Sequence, residues 1–178
     1  PGRALNSGAA VDQASIQKRP CFLCMKNRPS QQSGILYRKN YLILCNPAPI
    51  FPHHFTIAAQ THCPQEIPSS LDSLLQIAFD AAPDYAVFYN GPACGASAPD
   101  HLHFQLVPYH ALRFLRFSQD RHSYQKISSS VCRLSDNSGR SMILMRSNKV
   151  DMLKDQFLRF LISAGKVLHT SAEPPVNI

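Results

Sequence analysis

No apolar run in the chain approaches the ~20 residues that a helix needs to cross a bilayer, and the longest apolar pieces are strand-sized. Charge is scarce too: only 16% of the residues are Asp, Glu, Lys or Arg, against ~25% in an average soluble domain. With 44% hydrophobic residues, such a chain can bury a core and lacks the composition of a disordered segment. There is no block of Lys and Arg, no internal repeat and no low-complexity tract. The net charge of +7 therefore suits the phosphates of a nucleotide, and no nucleic-acid partner is expected. Six cysteines in 178 residues are too few for a disulfide framework. Residues 1–18 lack the charged-then-apolar pattern of a secretory leader, so a cytoplasmic location with no membrane partner is expected. An initiator Met is missing as well, which leads us to expect that residue 1 lies inside a longer protein.

At roughly 150 residues per domain, the length predicts an extension over 1–20, one domain over 21–170 and a tail over 171–178. A short helical turn is expected over 11–17, and turn chemistry makes 27–34 a loop. Residues 35–45 read as one or two strands, followed by a proline-stiffened connection at Asn46–Pro52 and a strand over 55–59. Apolar residues at 71, 74, 75, 78 and 82 follow a helix period, as do those at 153, 157, 160, 161 and 164 within a helix over 151–166. Strands are expected at 85–89, 101–108 and 141–146, with a turn at 136–139 and a patchy basic segment over 111–135. Together these elements predict an α+β domain: a bent antiparallel sheet of about five strands with both helices packed against it.

The densest chemistry lies in His101-Leu-His103-Phe-Gln105. If Leu102, Phe104 and Leu106 face the core, His101, His103 and Gln105 share the opposite face, about 6–7 Å apart along the strand. A neutral imidazole is a competent nucleophile toward phosphorus. Gln105 cannot titrate and suits hydrogen bonding to a phosphoryl oxygen. The small-residue loop before it, through Gly95, Ala96 and Ser97, allows backbone amides to approach the same charge. His residues alternating with apolar ones also occur as plain outward positions of a strand, but the upstream loop and Cys21-Phe-Leu-Cys24 favour a site. Cys-x-x-Cys reads as a metal clasp or a redox pair, and no strand–helix context at Cys24 supports the redox case. Cys45, Cys63 and Cys132 read as core or surface thiols, and Arg113, Arg116 and Arg121 as a solvated basic face.

The string from Asn90 through Gly95-Ala-Ser97 and Asp100 to His101-Leu-His-Phe-Gln105 resembles the signature of the histidine triad superfamily, in the branch where Gln replaces the third His. That branch includes the galactose-1-phosphate uridylyltransferases, the dinucleoside polyphosphate phosphorylases and the GDP-hexose phosphorylases. Cys21-x-x-Cys24-x-x-Asn27-Arg28 is similar to the zinc-clasp region of the uridylyltransferases, and Phe51-Pro-His53-His54 to the superfamily's Pro-x-His strand start. One position departs from the pattern: Asp100 stands between Pro99 and His101, where the uridylyltransferases and dinucleoside phosphorylases run Pro directly into His.

The resemblance implies a histidine-triad-like fold in which His103 takes up the nucleotide covalently, Gln105 steadies the phosphate, and Arg28, Asn46, Asn90, Gly95, Ala96 and Ser97 surround the nucleotide. It implies a structural zinc held by Cys21, Cys24, His54 and His101, with His53 and His62 as rivals of His54 for the third position. The implied substrate is a nucleoside diphosphate sugar or a dinucleoside polyphosphate, and the acceptor is phosphate or a sugar phosphate. It also implies a dimer or a second histidine-triad-like half beyond residue 178. Two rivals belong to other classes: a histidine-triad hydrolase, and a non-catalytic zinc module that binds nucleotide or RNA.

Overall fold

The structure, a computed structural model, describes residue 14 and residues 18–112, 124–135 and 141–178. The expected turn at 136–139, Arg113, Arg116, Arg121 and all but residue 14 of the expected turn over 11–17 lie outside the described residues. The chain divides into two compact units, Pro1–Ala111 with Glu173–Ile178, and Leu112–Ala172. The span 21–170, expected as one domain, is thus shared between two units, and residues from 173 on belong to the first.

The first unit contains β1 (Gly34–Tyr37), β2 (Tyr41–Cys45), β3 (Phe55–Ala59), α1 (Leu71–Ala81), β4 (Tyr85–Phe88) and β5 (His103–Pro108). The five strands form one sheet in the order β1-β2-β3-β5-β4, and every pairing is antiparallel. Residues 34–45 therefore make two strands joined at Arg38 and Lys39, both with positive φ. The α+β class and the five-stranded antiparallel sheet agree with the sequence reading.

Residues paired across antiparallel strands share a face. On one face lies the row Ile43, Ile57 and Phe104, with the Phe104 ring 6.0 Å from Tyr41 and 6.3 Å from Tyr89. Tyr37, on this face, donates to Asp80 of α1, which brings the helix across it. Helix α1 buries Leu71, Leu74 and Ile77. It ends where Pro83 forbids continuation, leaving Ala82 extended as the residue before a proline.

The other face carries Leu42, Leu44, Thr56, Ala58, His103 and Gln105. It is not open to solvent: Cys21, Leu23 and Ala98 form a buried cluster with Leu44 and Ala58, and Phe22, Cys24 and Leu42 pack against it. Covered on both sides, all six residues of β5 are buried. The strand expected from 101 begins at His103, because His101 is in a turn in which its N–H donates to Ala98 O at 3.1 Å.

Residues 173–178 add a short edge. Tyr89 and Ile178 exchange N–H···O bonds of 2.8 and 2.9 Å, and Gly91 N–H donates to Val176 O at 3.0 Å. Glu173 accepts from Ile67 N–H at 2.7 Å and from the Tyr89 hydroxyl at 2.8 Å. Gly91 is required by space: a Cβ there would lie 2.4 Å from Val176 O.

The second unit has its own sheet, β6 (Tyr124–Lys126), β7 (Val131–Ser135) and β8 (Ser141–Met145), in that order and antiparallel. Helix α2 (Val150–Val167) contacts β8 of this sheet. Its 3.6-residue period specifies an apolar stripe but not which sheet covers it.

Phe104 is fully buried, whereas Phe79 is 79% exposed on α1. Phe104→Ala should destabilise the first unit by about 3–5 kcal/mol in urea unfolding. Phe79→Ala should change it by no more than about 0.5 kcal/mol.

Candidate active site and metal centre

His103 and Gln105 lie two apart on β5, on the face covered by the Cys21–Cys24 segment. His103 is 2% exposed, and burial pushes its imidazole pKa down to about 4. Its Nδ1 lies 2.8 Å from the carbonyl oxygen of His101. A carbonyl can only accept, so Nδ1 carries the proton and Nε2 keeps its lone pair. The His103 N–H donates to Gln65 Oε1 at 2.7 Å.

The orientation of Gln105 is fixed from the other side. Ile50 N–H donates to His54 Nδ1 at 3.2 Å, which makes Nε2 the protonated nitrogen of His54. That nitrogen donates to Gln105 Oε1 at 2.8 Å, and Asn46 Nδ2 donates to the same oxygen at 3.1 Å. With Oε1 held there, the amide presents Nε2–H₂ as its donor end. Asn46 is itself locked, donating to Thr56 Oγ1 at 3.0 Å and accepting from Ala48 N–H at 2.9 Å.

Beyond the start of β5 the chain brings four ligand atoms together. Cys21 Sγ, Cys24 Sγ, His62 Nδ1 and His101 Nδ1 all lie within 4.8 Å of one another. His101 Nε2 donates to Ala59 O at 2.8 Å, so its Nδ1 lone pair points into the cluster. That nitrogen is 3.2 Å from Cys21 Sγ, 3.6 Å from Cys24 Sγ and 3.3 Å from His62 Nδ1, and His62 Nδ1 is 3.2 Å from Cys24 Sγ. A tetrahedral ion with bonds of ~2.3 Å to sulfur and ~2.0 Å to nitrogen has edges of about 3.3–3.8 Å. The cluster could therefore hold a metal ion. Burial, followed by the neighbouring Cys21, raises the Cys24 thiol pKa, and a divalent cation would reverse that by compensating two thiolates.

His54 is not part of this cluster, and the register gives the reason. Phe55 at the start of β3 pairs with Leu106, and Ala58 near its end pairs with His103. His54 therefore sits at the Val107 end of β5, about 13 Å of strand from His103 at ~3.3 Å per residue, and His101 lies beyond His103. His62 follows the other end of β3 and meets His101 there. His53 is exposed at a turn position with φ 54°.

Asp100, which stands between Pro99 and His101, sits beside the cluster. It accepts from Arg19 Nη2 at 2.8 Å, and its other oxygen lies 3.7 Å from His62 Nε2. Arg28 is partly buried, and its Nε has no hydrogen-bond partner among the described residues.

The loop before His101 is anchored at several points. Gly91 N–H bonds the 173–178 segment, Ala96 N–H donates to Gly91 O at 3.3 Å, and Ala98 is fully buried. Gly95 is exposed with φ 93°, a left-handed conformation with open space where a Cβ would stand. Ser97 is half-buried, and Asn90 O accepts from Gln65 Nε2 at 3.0 Å. The structure thus joins Cys21, Cys24 and His101 in one cluster and Asn46 to Gln105 in another. No hydrogen bond joins Gly95, Ala96 or Ser97 to His103 among the described residues. Gln65 was not singled out from the sequence; it is a lone Gln between Pro64 and Glu66 with no motif around it.

Residues 1–108 match the family described as a domain of unknown function, DUF4922, and the chain belongs to that family. No curated protein sequence matches it. Among solved structures, it is similar to yeast Ap4A phosphorylase Apa2 in complex with AMP, at 22% identity and a TM-score of 0.46. The match covers 75% of this chain and 50% of that one, so the chain spans about half that enzyme's length. Among the described residues, no helix is long and apolar enough to cross a membrane.

Elemental analysis of the purified protein tests the ligand set. His54→Ala is expected to retain a bound metal ion, and His62→Ala and Cys21→Ser to lose it. Retention in His62→Ala together with loss in His54→Ala would restore the arrangement expected from the sequence.

Proposed function

We propose that the protein is a nucleotidyltransferase or phosphorylase of the histidine triad type, working through a covalent nucleotidyl-His103. The observation that carries this reading is the state of His103: burial keeps the ring neutral, and the bond from Nδ1 to His101 O leaves Nε2 as the nucleophile. The proposed donor is a nucleoside diphosphate sugar or a dinucleoside polyphosphate. The Nε2 lone pair attacks the α-phosphorus, a P–N bond forms, and the P–O bond to the leaving group, a sugar phosphate or a nucleoside polyphosphate, breaks with its electron pair. Inorganic phosphate or a sugar phosphate then attacks the same phosphorus, and the P–N pair returns to Nε2.

In this reading Gln105 donates from Nε2–H₂ to a phosphoryl oxygen, with His54 and Asn46 holding the opposite end of its amide. Arg28, Asn90, Gly95, Ala96 and Ser97 are assigned to the nucleotide and its phosphates. Zinc is the proposed ion for Cys21, Cys24, His62 and His101, since two thiolates and two imidazoles make a closed tetrahedral site. When bound it supplies structure, tying the Cys21–Cys24 segment to the turn that carries the His101 carbonyl. That carbonyl is the group that sets the tautomer of His103.

Incubation with diadenosine tetraphosphate or a GDP-sugar labelled in the α-phosphate is expected to leave acid-labile, alkali-stable label on the protein. His103→Ala should abolish it, and label that persists there would remove His103 as the nucleophile. Gln105→Leu should slow labelling roughly tenfold to a hundredfold, since losing a hydrogen bond to a charged group costs about 1.5–3 kcal/mol. Release of nucleoside monophosphate at the same rate with and without phosphate would favour the hydrolase instead.

A further inference from the structure

A side chain, not the neighbouring strand, holds the backbone of His103 on one side. The β4–β5 register pairs Phe88 with Gln105, and continuing it by two residues on each strand would pair Asn90 with His103. Ladder direction alternates from residue to residue. Leu102 O accepts from Ala59 N–H at 2.9 Å on the β3 side, so the N–H and C=O of His103 face the β4 side. The side chain of Gln65 lies there.

Gln65 Oε1 accepts from His103 N–H at 2.7 Å. Its Nε2 donates to His103 O and to Asn90 O, each at 3.0 Å. An amide with one acceptor and two donor hydrogens thus takes the place of a peptide group between two diverging strands. Gln65 is itself held at the backbone, its N–H donating to Pro99 O at 3.3 Å and its C=O accepting from the Tyr89 hydroxyl at 3.1 Å. At 1% exposure, it has no water to replace these bonds.

We infer that Gln65 is a positioning residue of the nucleotidyl-transfer site. Its side-chain amide parts β4 from β5 at His103 and sets the distance between the backbone of His103 and the Asn90 end of the loop assigned to the phosphates. The inference rests on the reading of His103 as nucleophile. A misplacement of about 1 Å at a reacting group can cost roughly a hundredfold in rate.

Gln65→Met keeps the length of the side chain and removes all three bonds. Amide hydrogen exchange is expected to be at least about tenfold faster at His103 in this variant, with Val107 on the same strand unchanged. Nucleotidyl adduct formation from diadenosine tetraphosphate or a GDP-sugar should slow at least about tenfold, at a nearly unchanged half-saturating donor concentration. Gln65→Glu, neutral when buried, restores the acceptor and one donor and should fall between the two. Unchanged exchange at His103, or adduct formation at the wild-type rate, in Gln65→Met overturns the inference. If Gln65→Met loses protection at Val107 too, Gln65→Glu decides, and a wild-type adduct rate there overturns it. Failure of the wild type to form any adduct removes the nucleophile reading and this inference together. Equal adduct rates in wild type and variant remove the inference alone.

Discussion

The register that lays β5 between β3 and β4 determines where every group of the candidate site stands. Ile57 opposite Phe104 puts the apolar row under α1, and the same pairing turns Ala58, Thr56, His103 and Gln105 to the other face. A slip of one residue would exchange the faces, burying Phe104 where His103 now lies. The register also separates two chemistries. Past Ala59 and before His103, the chain gathers two thiols and two imidazoles; toward Phe55, it gathers His54, Asn46 and Thr56 on the amide of Gln105.

The two groups are coupled through one peptide. His101 offers its ring to the thiols and its carbonyl oxygen to His103 Nδ1. An ion on Cys21, Cys24, His62 and His101 would restrain that turn, and the turn sets which nitrogen of His103 keeps its lone pair. Asp100 adds a second tie, from the turn to Arg19 in the N-terminal segment. Asp100, between Pro99 and His101, thus has a place beside the cluster.

Much of this was legible because it is local. The period of Leu71, Leu74 and Leu75 and the β-rich run from Phe55 to Ala59 each act within one element, and the Cys-x-x-Cys and His-x-His-x-Gln strings are each contiguous in sequence. What escaped depends on pairing between distant elements. His54 resembles a ligand by its neighbours in sequence, but only the antiparallel order of β3 and β5 shows that His62 is the one delivered to His101. Gln65 acts through contacts 25 and 38 residues away, on Asn90 and His103, which no window of sequence contains. The stripe of α2 is plain in the sequence, yet the existence of a second sheet to cover it was not.

The central claim is that the fold holds His103 neutral with Nε2 bare. Long-range ¹H–¹⁵N NMR of the histidine rings near pH 7 tests it most directly. A protonated Nδ1 and an unprotonated Nε2 are expected for His103. An imidazolium signal, or the opposite tautomer, would contradict it.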